Sequence, residues 1–325
     1  MVEIIAPGAP DPDAPPVSRP APVAMVDDFL PAGLATAMRQ AIDAHFANPN
    51  AHRGETHQVW NYWFVPELYT YLRTRADRVI DQEHVRSFIL ALREWSIENL
   101  GLGSVTLPNL SLYVSGCRQG WHNDSTNGRF AFVYSLTRDD RATSGGETLV
   151  MRDGDALRAN LTRPAAGQNL YEAVAPRFNR LVVFDDRAPH AVQQVDGSMD
   201  PVEGRFVLHG HLSEAGPVIK GALPPEVVIP LIEAVPHAFA REHGARLAPY
   251  QGPLALRLLI TAAGVVENCD VMMDRVLHPH GADTGWEPLR EALLERLEAT
   301  RFPSAPGETK VVLPVMFGPR PRNLR

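Results

Sequence analysis

His122 and Asp124 flank a single residue, Asn123, and His190 and then Arg205 follow far downstream. On a β-strand, side chains two apart project to one face, so the imidazole and carboxylate of an H-x-D tripeptide can meet one ion. A second imidazole from a neighbouring strand makes a set of two histidines and one carboxylate. Such a set holds one face of an octahedral metal and leaves three positions open to reactants, an arrangement suited to Fe(II) outside a haem. An isolated H-x-D is more often a solvated turn. Here His190 follows an apolar strand ending in Phe184, and Arg205 opens the next strand, which favours His122, Asp124 and His190 as metal ligands.

The surroundings extend the pattern. Tyr113-x-x-Gly116 precedes Trp121-His-Asn-Asp-Ser125, then come Gly145-Gly-Glu-Thr148, Phe184 six residues before His190, and Arg205-Phe-Val-Leu-His-Gly-His-Leu212. These elements, in this order over roughly residues 108–214, resemble the prolyl 4-hydroxylase-like branch of the 2-oxoglutarate/Fe(II) oxygenases. Two features depart from that pattern. Asp196–Gly204 lengthens the interval between His190 and Arg205, and His211 stands where relatives often carry Trp.

The resemblance implies a double-stranded β-helix, or jelly roll, with Fe(II) on His122, Asp124 and His190. It implies 2-oxoglutarate as co-substrate with O2, and ascorbate as an auxiliary reductant. Arg205 is then the anchor for the distal carboxylate, because a guanidinium fork binds carboxylates bidentately and stays charged when desolvated. The bland alternative is a surface Arg in a salt bridge, which a shared strand face with Val207 and His209 disfavours; Arg180 and Arg187 are the fallback anchors. Tyr113 would add a hydroxyl to the co-substrate site and Thr148 a lesser contact; core packing is the competing role for both. Asp124 fills a coordination position that related halogenases leave to chloride, so hydroxylation is expected over halogenation.

Other residues invite functional readings that the pattern does not support. A lone extra His is more often structural, so His209 and His211 are not assigned as ligands. His278-Pro-His280 has no partner cluster and reads as a solvated loop. Gly145-Gly146 makes a turn and lacks the helix and Lys of a phosphate loop. Trp60, Tyr62 and Trp63 are candidates for the substrate cleft, with a core role equally open for at least one of them.

Composition sets the outer bounds. The 325 residues are 45% hydrophobic and 21% charged, ordinary for a globular chain with room for two cores. A formal charge of −7 argues against a general nucleic-acid binder. Lys occurs only at 220 and 310, so an anion anchor has to be Arg. Cys117 and Cys269 lie far apart in sequence, which argues against a disulfide framework and for a cytoplasmic setting. No signal peptide or membrane-spanning apolar stretch is expected.

The fold expected is α+β in three parts. Residues 1–22 are a Pro-rich tail, residues 23–214 the oxygenase domain with N-terminal helices and a jelly roll, and residues 222–318 a small α+β domain. The pattern predicts a strand at 25–30, and helices over 31–46, 66–80 and 83–99 around an aromatic segment at 56–64. Strands are predicted at 109–115, 129–136, 146–151, 169–174, 179–185, 190–195 and 205–212. The C-terminal part reads as helix 225–244, strands 254–261 and 265–273, helix 286–300 and strand 310–317. It resembles the C-terminal domain of TonB-type and AgmX/PglI-type proteins, carries no catalytic cluster, and is a candidate binder of a peptide or protein partner. The function expected is hydroxylation of a C–H bond in a peptidyl residue such as Pro. A free amino acid or small metabolite as substrate is one alternative, and a non-catalytic adaptor on the same scaffold another.

Overall fold

The computed structural model describes residues 24–47, 59–124, 127–151, 171–278 and 285–318. The Pro-rich segment 1–22, residues 56–58, Ser125 and His280 lie outside the described residues. The chain forms two compact units. One runs through Ala91 and resumes over Val105–Leu212, and the other comprises Leu92–Ser104 and the chain from Ser213 onward.

The described residues begin with β1 (Ala24–Val26), α1 (Ala32–Phe46), β2 (Asn61–Val65), β3 (Tyr69–Arg75) and α2 (Gln82–Leu100). Next come β4 (Ser104–Val105), β5 (Asn109–Tyr113), β6 (Arg118–His122), β7 (Phe130–Ser135), β8 (Ser144–Gly145) and β9 (Thr148–Met151). Then follow β10 (Tyr171–Val174), β11 (Leu181–Asp185), β12 (His190–Val192), β13 (Val195–Asp196) and β14 (Arg205–Ser213). Twelve of these strands make one large curled antiparallel sheet, consistent with a jelly roll, in the order β1-β11-β7-β14-β5-β3-β6-β12-β9-β10. β2 pairs with β3, and β4 with β14. β3 pairs β5 through Leu72–Arg75 and β6 through Tyr69 and Thr70, so it carries the sheet from the Arg205 strand to the His122 strand.

Period-two alternation sorts this sheet into two faces. Phe130, Phe132 and Tyr134 of β7 point one way, and Phe88 of α2 meets two of them, its ring 5.8 Å from Phe132 and 5.0 Å from Tyr134. Phe206 of β14 shares that face and packs on Phe46 of α1 at 5.9 Å. The other face carries Ala131, Val182 and Phe184, which cluster with Val150 and Val174 from β9 and β10. This second face is the interior that holds the candidate site.

Helix α1 follows its predicted four-residue spacing, with Met38 and Ile42 buried. The predicted helix over 66–80 is corrected: Tyr69–Arg75 is a strand. Its aromatic, Thr-rich sequence suits a pleated surface, and pairing with β2, β5 and β6 overrides the apolar spacing that mimicked a helix. The strand β6 was not anticipated. Arg-Gln-Gly-Trp-His lacks β-branched residues, and Gly120 sits in it because Leu68 presses close; its N–H donates to Leu68 O at 2.6 Å.

The lengthened interval before Arg205 is ordered. Pro201–Glu203 forms a 3-10 turn capped by Asp200, which accepts from Val202 N–H at 3.0 Å. Arg39, buried in α1, donates to Val202 O at 2.6 Å and to Leu136 O at 2.9 Å. Thr143 donates to Glu203 O at 2.8 Å. Arg205 thereby enters β14 directly opposite Tyr113 of β5.

In the second unit, β15 (Val218–Gly221) precedes α3 (Pro225–Leu247), β16 (Gly252–Ile260) and β17 (Val266–Asp274). Then come α4 (Trp286–Glu298) and β18 (Thr309–Phe317). The strands form one antiparallel sheet in the order β15-β18-β16-β17. One apolar core joins Val228, Ile232 and Phe239 of α3, Leu289, Leu293 and Leu297 of α4, and Leu254, Leu256 and Leu258 of β16. The end of α2 belongs here: Glu98 O accepts from Arg257 Nη2 at 2.7 Å, and a Cβ on Gly101 (φ 70°) would run into Ala255. Cys117 and Cys269 are both free and buried.

A candidate metal and co-substrate site

His122 closes β6 and His190 opens β12, directly across the ladder from it. Their rings lie 4.2 Å apart, centroid to centroid. Asp124 falls two residues beyond the end of β6, so strand alternation is not what aims it. Its N–H donates to Asp186 O at 2.9 Å, which ties the turn after β6 to the turn after β11. Its carboxylate lies 3.5 Å from His190 Nε2. One ligand atom from each of His122, Asp124 and His190 falls within 4.8 Å of the others, so the three could hold a metal ion.

The protonation states suit that role. His122 Nδ1 lies 2.8 Å from Gly120 O, and His190 Nδ1 lies 3.1 Å from Ala188 O. A carbonyl only accepts, so each Nδ1 carries the proton and each Nε2 offers a lone pair, the usual arrangement for ligating histidines. Burial, and then His190 alongside, holds the His122 pKa below its ordinary value. Burial alone would raise the Asp124 pKa. When the imidazoles are protonated, a hydrogen bond from His190 and the fields of His190, His122 and His211 outweigh burial and carry it down to about 2.

Arg205 is the largest fully buried side chain, with 1% exposure. Its Nη2 donates to Thr148 Oγ1 at 3.0 Å, and its guanidinium lies 4.7 Å over the Tyr113 ring. Among the described residues its Nε and Nη1 are buried without a hydrogen-bond partner. Burial pulls its pKa down, partly opposed by Tyr113. Two unsatisfied donors on a buried cation call for an anion, and a carboxylate matches their geometry. The fallback anchors are engaged elsewhere: Arg180 with Asp27 and Arg187 with Asp185 at 2.7 Å. Gly145 and Gly146 make this corner possible. Both have φ of 77°, and a Cβ on Gly146 would come within 2.8 Å of Arg205 Cδ.

The site also contains residues that the motifs do not name. Gln119 accepts from the Tyr113 hydroxyl at 3.0 Å, and its amide nitrogen lies 3.1 Å from His122 Nε2, bridging the anchor and the metal ligands. Tyr69 meets the His122 ring edge-on at 5.4 Å. Tyr71 stacks on Tyr113 at 5.2 Å, and exposed Trp63 stacks on Tyr71 at 6.3 Å, with Arg73 4.0 Å over the Trp63 ring. Only the alternation within 69–73 could have signalled Tyr69, Tyr71 and Arg73, and the helical reading hid it. Trp60 takes the structural role, packing on Phe46 and bonding His45 Nε2 at 3.1 Å. Tyr62 is exposed beside Phe64. His209 bonds Ser111 Oγ at 2.9 Å, and His211 Nδ1 lies 3.1 Å from both oxygens of Asp186.

Residues 108–212 match the family profile described as the 2OG-Fe(II) oxygenase superfamily. No curated protein matches the chain. Among solved structures, a prolyl hydroxylase from Trichoplax adhaerens, in complex with a hypoxia inducible factor peptide fragment, is 15% identical. It matches over 57% of this chain and 81% of its own, at a TM-score of 0.40. A Pseudomonas putida prolyl-4-hydroxylase is 18% identical over 60% of this chain and 94% of its own, at a TM-score of 0.44. The α-ketoglutarate-dependent epimerase SnoN of nogalamycin biosynthesis is 14% identical over 58% of this chain and 76% of its own, at 0.42. The profile match makes the first unit a 2-oxoglutarate-dependent dioxygenase, an enzyme that uses Fe(II), 2-oxoglutarate and O2. Among the described residues, no helix is long and apolar enough to cross a membrane.

Proposed function

We propose that the first unit hydroxylates a C–H bond of a peptidyl residue such as Pro, with Fe(II) held by His122, Asp124 and His190 and 2-oxoglutarate anchored by Arg205. The observation that carries the site assignment is the pair of buried donors on Arg205 that lack a partner among the described residues, on a guanidinium linked through Tyr113 and Gln119 to His122 of the His122–Asp124–His190 cluster. Bound there, Fe(II) and 2-oxoglutarate supply the O2-dependent chemistry that converts 2-oxoglutarate to succinate and CO2 and a C–H bond to an alcohol.

The chain's own residues do the positioning. His122 and His190 present Nε2 lone pairs, and Asp124 presents a carboxylate that stays ionised at neutral pH. Arg205 neutralises one end of a dicarboxylate, while Thr148 fixes the guanidinium plane. Burial pushes the Tyr113 pKa up, so its hydroxyl remains a protonated donor. Phe184, 4.7 Å from the His190 ring, and Val150 wall the site with apolar surface and keep bulk water from the reacting centre.

The peptidyl substrate is supported by β2. Tyr62, Trp63, Phe64 and Val65 are all exposed, and among the described residues β2 has only β3 as its ladder partner. Such an edge suits an extended chain, which can add backbone hydrogen bonds and lay side chains on the rings. The experiment is Fe(II)-dependent succinate formation, followed by mass spectrometry of a peptide library for a one-oxygen gain. A gain on free amino acids alone, with peptides unmodified, defeats the peptidyl reading.

A further inference from the structure

We propose that His211, oriented by Asp186, is a specificity-determining residue that donates a hydrogen bond from Nε2 to an acceptor oxygen of the substrate. The inference rests on the oxygenase reading of the same site.

Strand parity places the imidazole. Arg205, Val207, His209 and His211 share one face of β14, the face on which Arg205 reaches across to Thr148. The opposite face of β14 carries Phe206, packed against α1. His211 therefore lies on the interior face, at the end of β14 away from Arg205. Its ladder partner is Ala131 of β7, whose own partner Phe184 on β11 touches His190. The same spot adjoins the metal turn, since Asp186 O accepts from Asp124 N–H at 2.9 Å.

The pair is built with care on every side. The Asp186 side chain is 1% exposed, while the imidazole keeps 19% of its surface. Gly128 leaves room for both: a Cβ there would stand 2.7 Å from His211 Cβ and 2.8 Å from Asp186 Oδ2. His211 N–H is held by Thr106 Oγ1 at 2.8 Å. Both carboxylate oxygens sit 3.1 Å from Nδ1, so Nδ1 carries a proton. Burial alone would lower the His211 pKa, but the hydrogen bond and field of Asp186 outweigh it and raise the pKa above its ordinary value, which favours the imidazolium with both ring nitrogens protonated. That leaves Nε2–H, the nitrogen not held by Asp186, on a ring that stays partly exposed. A fixed donor beside the metal ligands selects a molecule that brings an oxygen acceptor close to the C–H bond, either a peptide carbonyl or a free carboxylate.

The test uses the full chain loaded with Mn(II) and saturated with 2-oxoglutarate, titrated with N-acetylprolinamide and with N-acetylproline. Binding is read from Mn(II)-induced broadening of the probe NMR signals. We expect wild type to bind at least one probe, with the amide arm reporting a carbonyl acceptor and the acid arm a carboxylate. His211→Phe, which keeps a ring of similar bulk, and Asp186→Asn should each weaken that binding about tenfold or more, the equivalent of one hydrogen bond. His211→Gln, which keeps a donor, should retain part of it; a merely structural role gives no such rescue. Failure of wild type to bind either probe, or equal binding by wild type and His211→Phe, overturns the inference. Binding of 2-oxoglutarate is measured alongside. Wild type that does not bind it defeats the oxygenase reading and this inference together, whereas normal 2-oxoglutarate binding with probes indifferent to His211 defeats this inference alone.

Discussion

Arg205 stands directly across the β5–β14 ladder from Tyr113, and its guanidinium lies 4.7 Å over the Tyr113 ring. The ring and Thr148 hold the cation without satisfying its Nε and Nη1. We expect Arg205→Ala to weaken 2-oxoglutarate binding by about 2–5 kcal/mol, the usual loss when one partner of a desolvated charge pair is removed. Calorimetric titration of wild type and variant checks this. Unchanged affinity would move the anchor elsewhere.

Gly146 tests the same corner from the backbone. A Cβ there meets Arg205 Cδ at 2.8 Å and Val195 Cγ2 at 3.1 Å, at a φ of 77° that disfavours side chains. Gly146→Ala should cost about 1–3 kcal/mol of stability and also reduce 2-oxoglutarate affinity. Thermal melts and titration together check the pair of effects; full affinity in a stable variant contradicts the packing described.

His122→Ala, Asp124→Ala and His190→Ala should each abolish Fe(II)-dependent succinate formation, because the three ligands act as one unit. Each variant should melt near the wild-type apo temperature. A folded His190→Ala protein with wild-type turnover would remove these residues from the metal site.

Stability should fall in mild acid through His209. Burial first, then the field of Arg73, depress its pKa from 6.5 to about 3. Between those values the unfolded chain binds a proton that the folded chain refuses, so stability rises with pH across that window and falls as pH drops below 6.5. The expected loss by pH 4 is on the order of 3 kcal/mol. Denaturant melts of wild type and His209→Gln, compared over this range, check it; identical pH slopes would assign the loss to other groups.

A chain ended near Gly216 should fold poorly. Leu92 and Ile97 are buried, and Leu92–Ser104 belongs to the second unit, where Arg257 holds the Glu98 carbonyl. We expect aggregation or a melting temperature lowered by several degrees, about what a loss of one or two kcal/mol produces. A truncation that melts like the whole chain would show that the second unit is needed only for a partner or substrate.

Much of the site was legible because metal ligation restricts residue type. His122, Asp124 and His190 come within 4.8 Å of one another, as the H-x-D…H order implies. Tyr69, Tyr71 and Gln119 were not legible. Tyr69–Arg75 carries apolar residues at spacings a helix would also use, and only its pairing with three strands decides the matter. The Asp186–His211 pair was hidden for another reason, since nothing local connects residues 25 apart in sequence. In the second unit, long apolar strands and helices announced themselves, whereas β15, two half-exposed and two exposed residues, depends on β18 for its existence.

The pinned turn before Arg205 separates two quantities that sequence comparison tends to merge. Arg39, Thr143 and Asp200 absorb the extra residues of 196–204, so the distance along the chain from His190 to Arg205 can lengthen while the anchor keeps its place opposite Tyr113. A search pattern that fixes the interval between distal histidine and basic anchor would pass over chains assembled this way, whereas one that fixes the ladder partner of the anchor would find them.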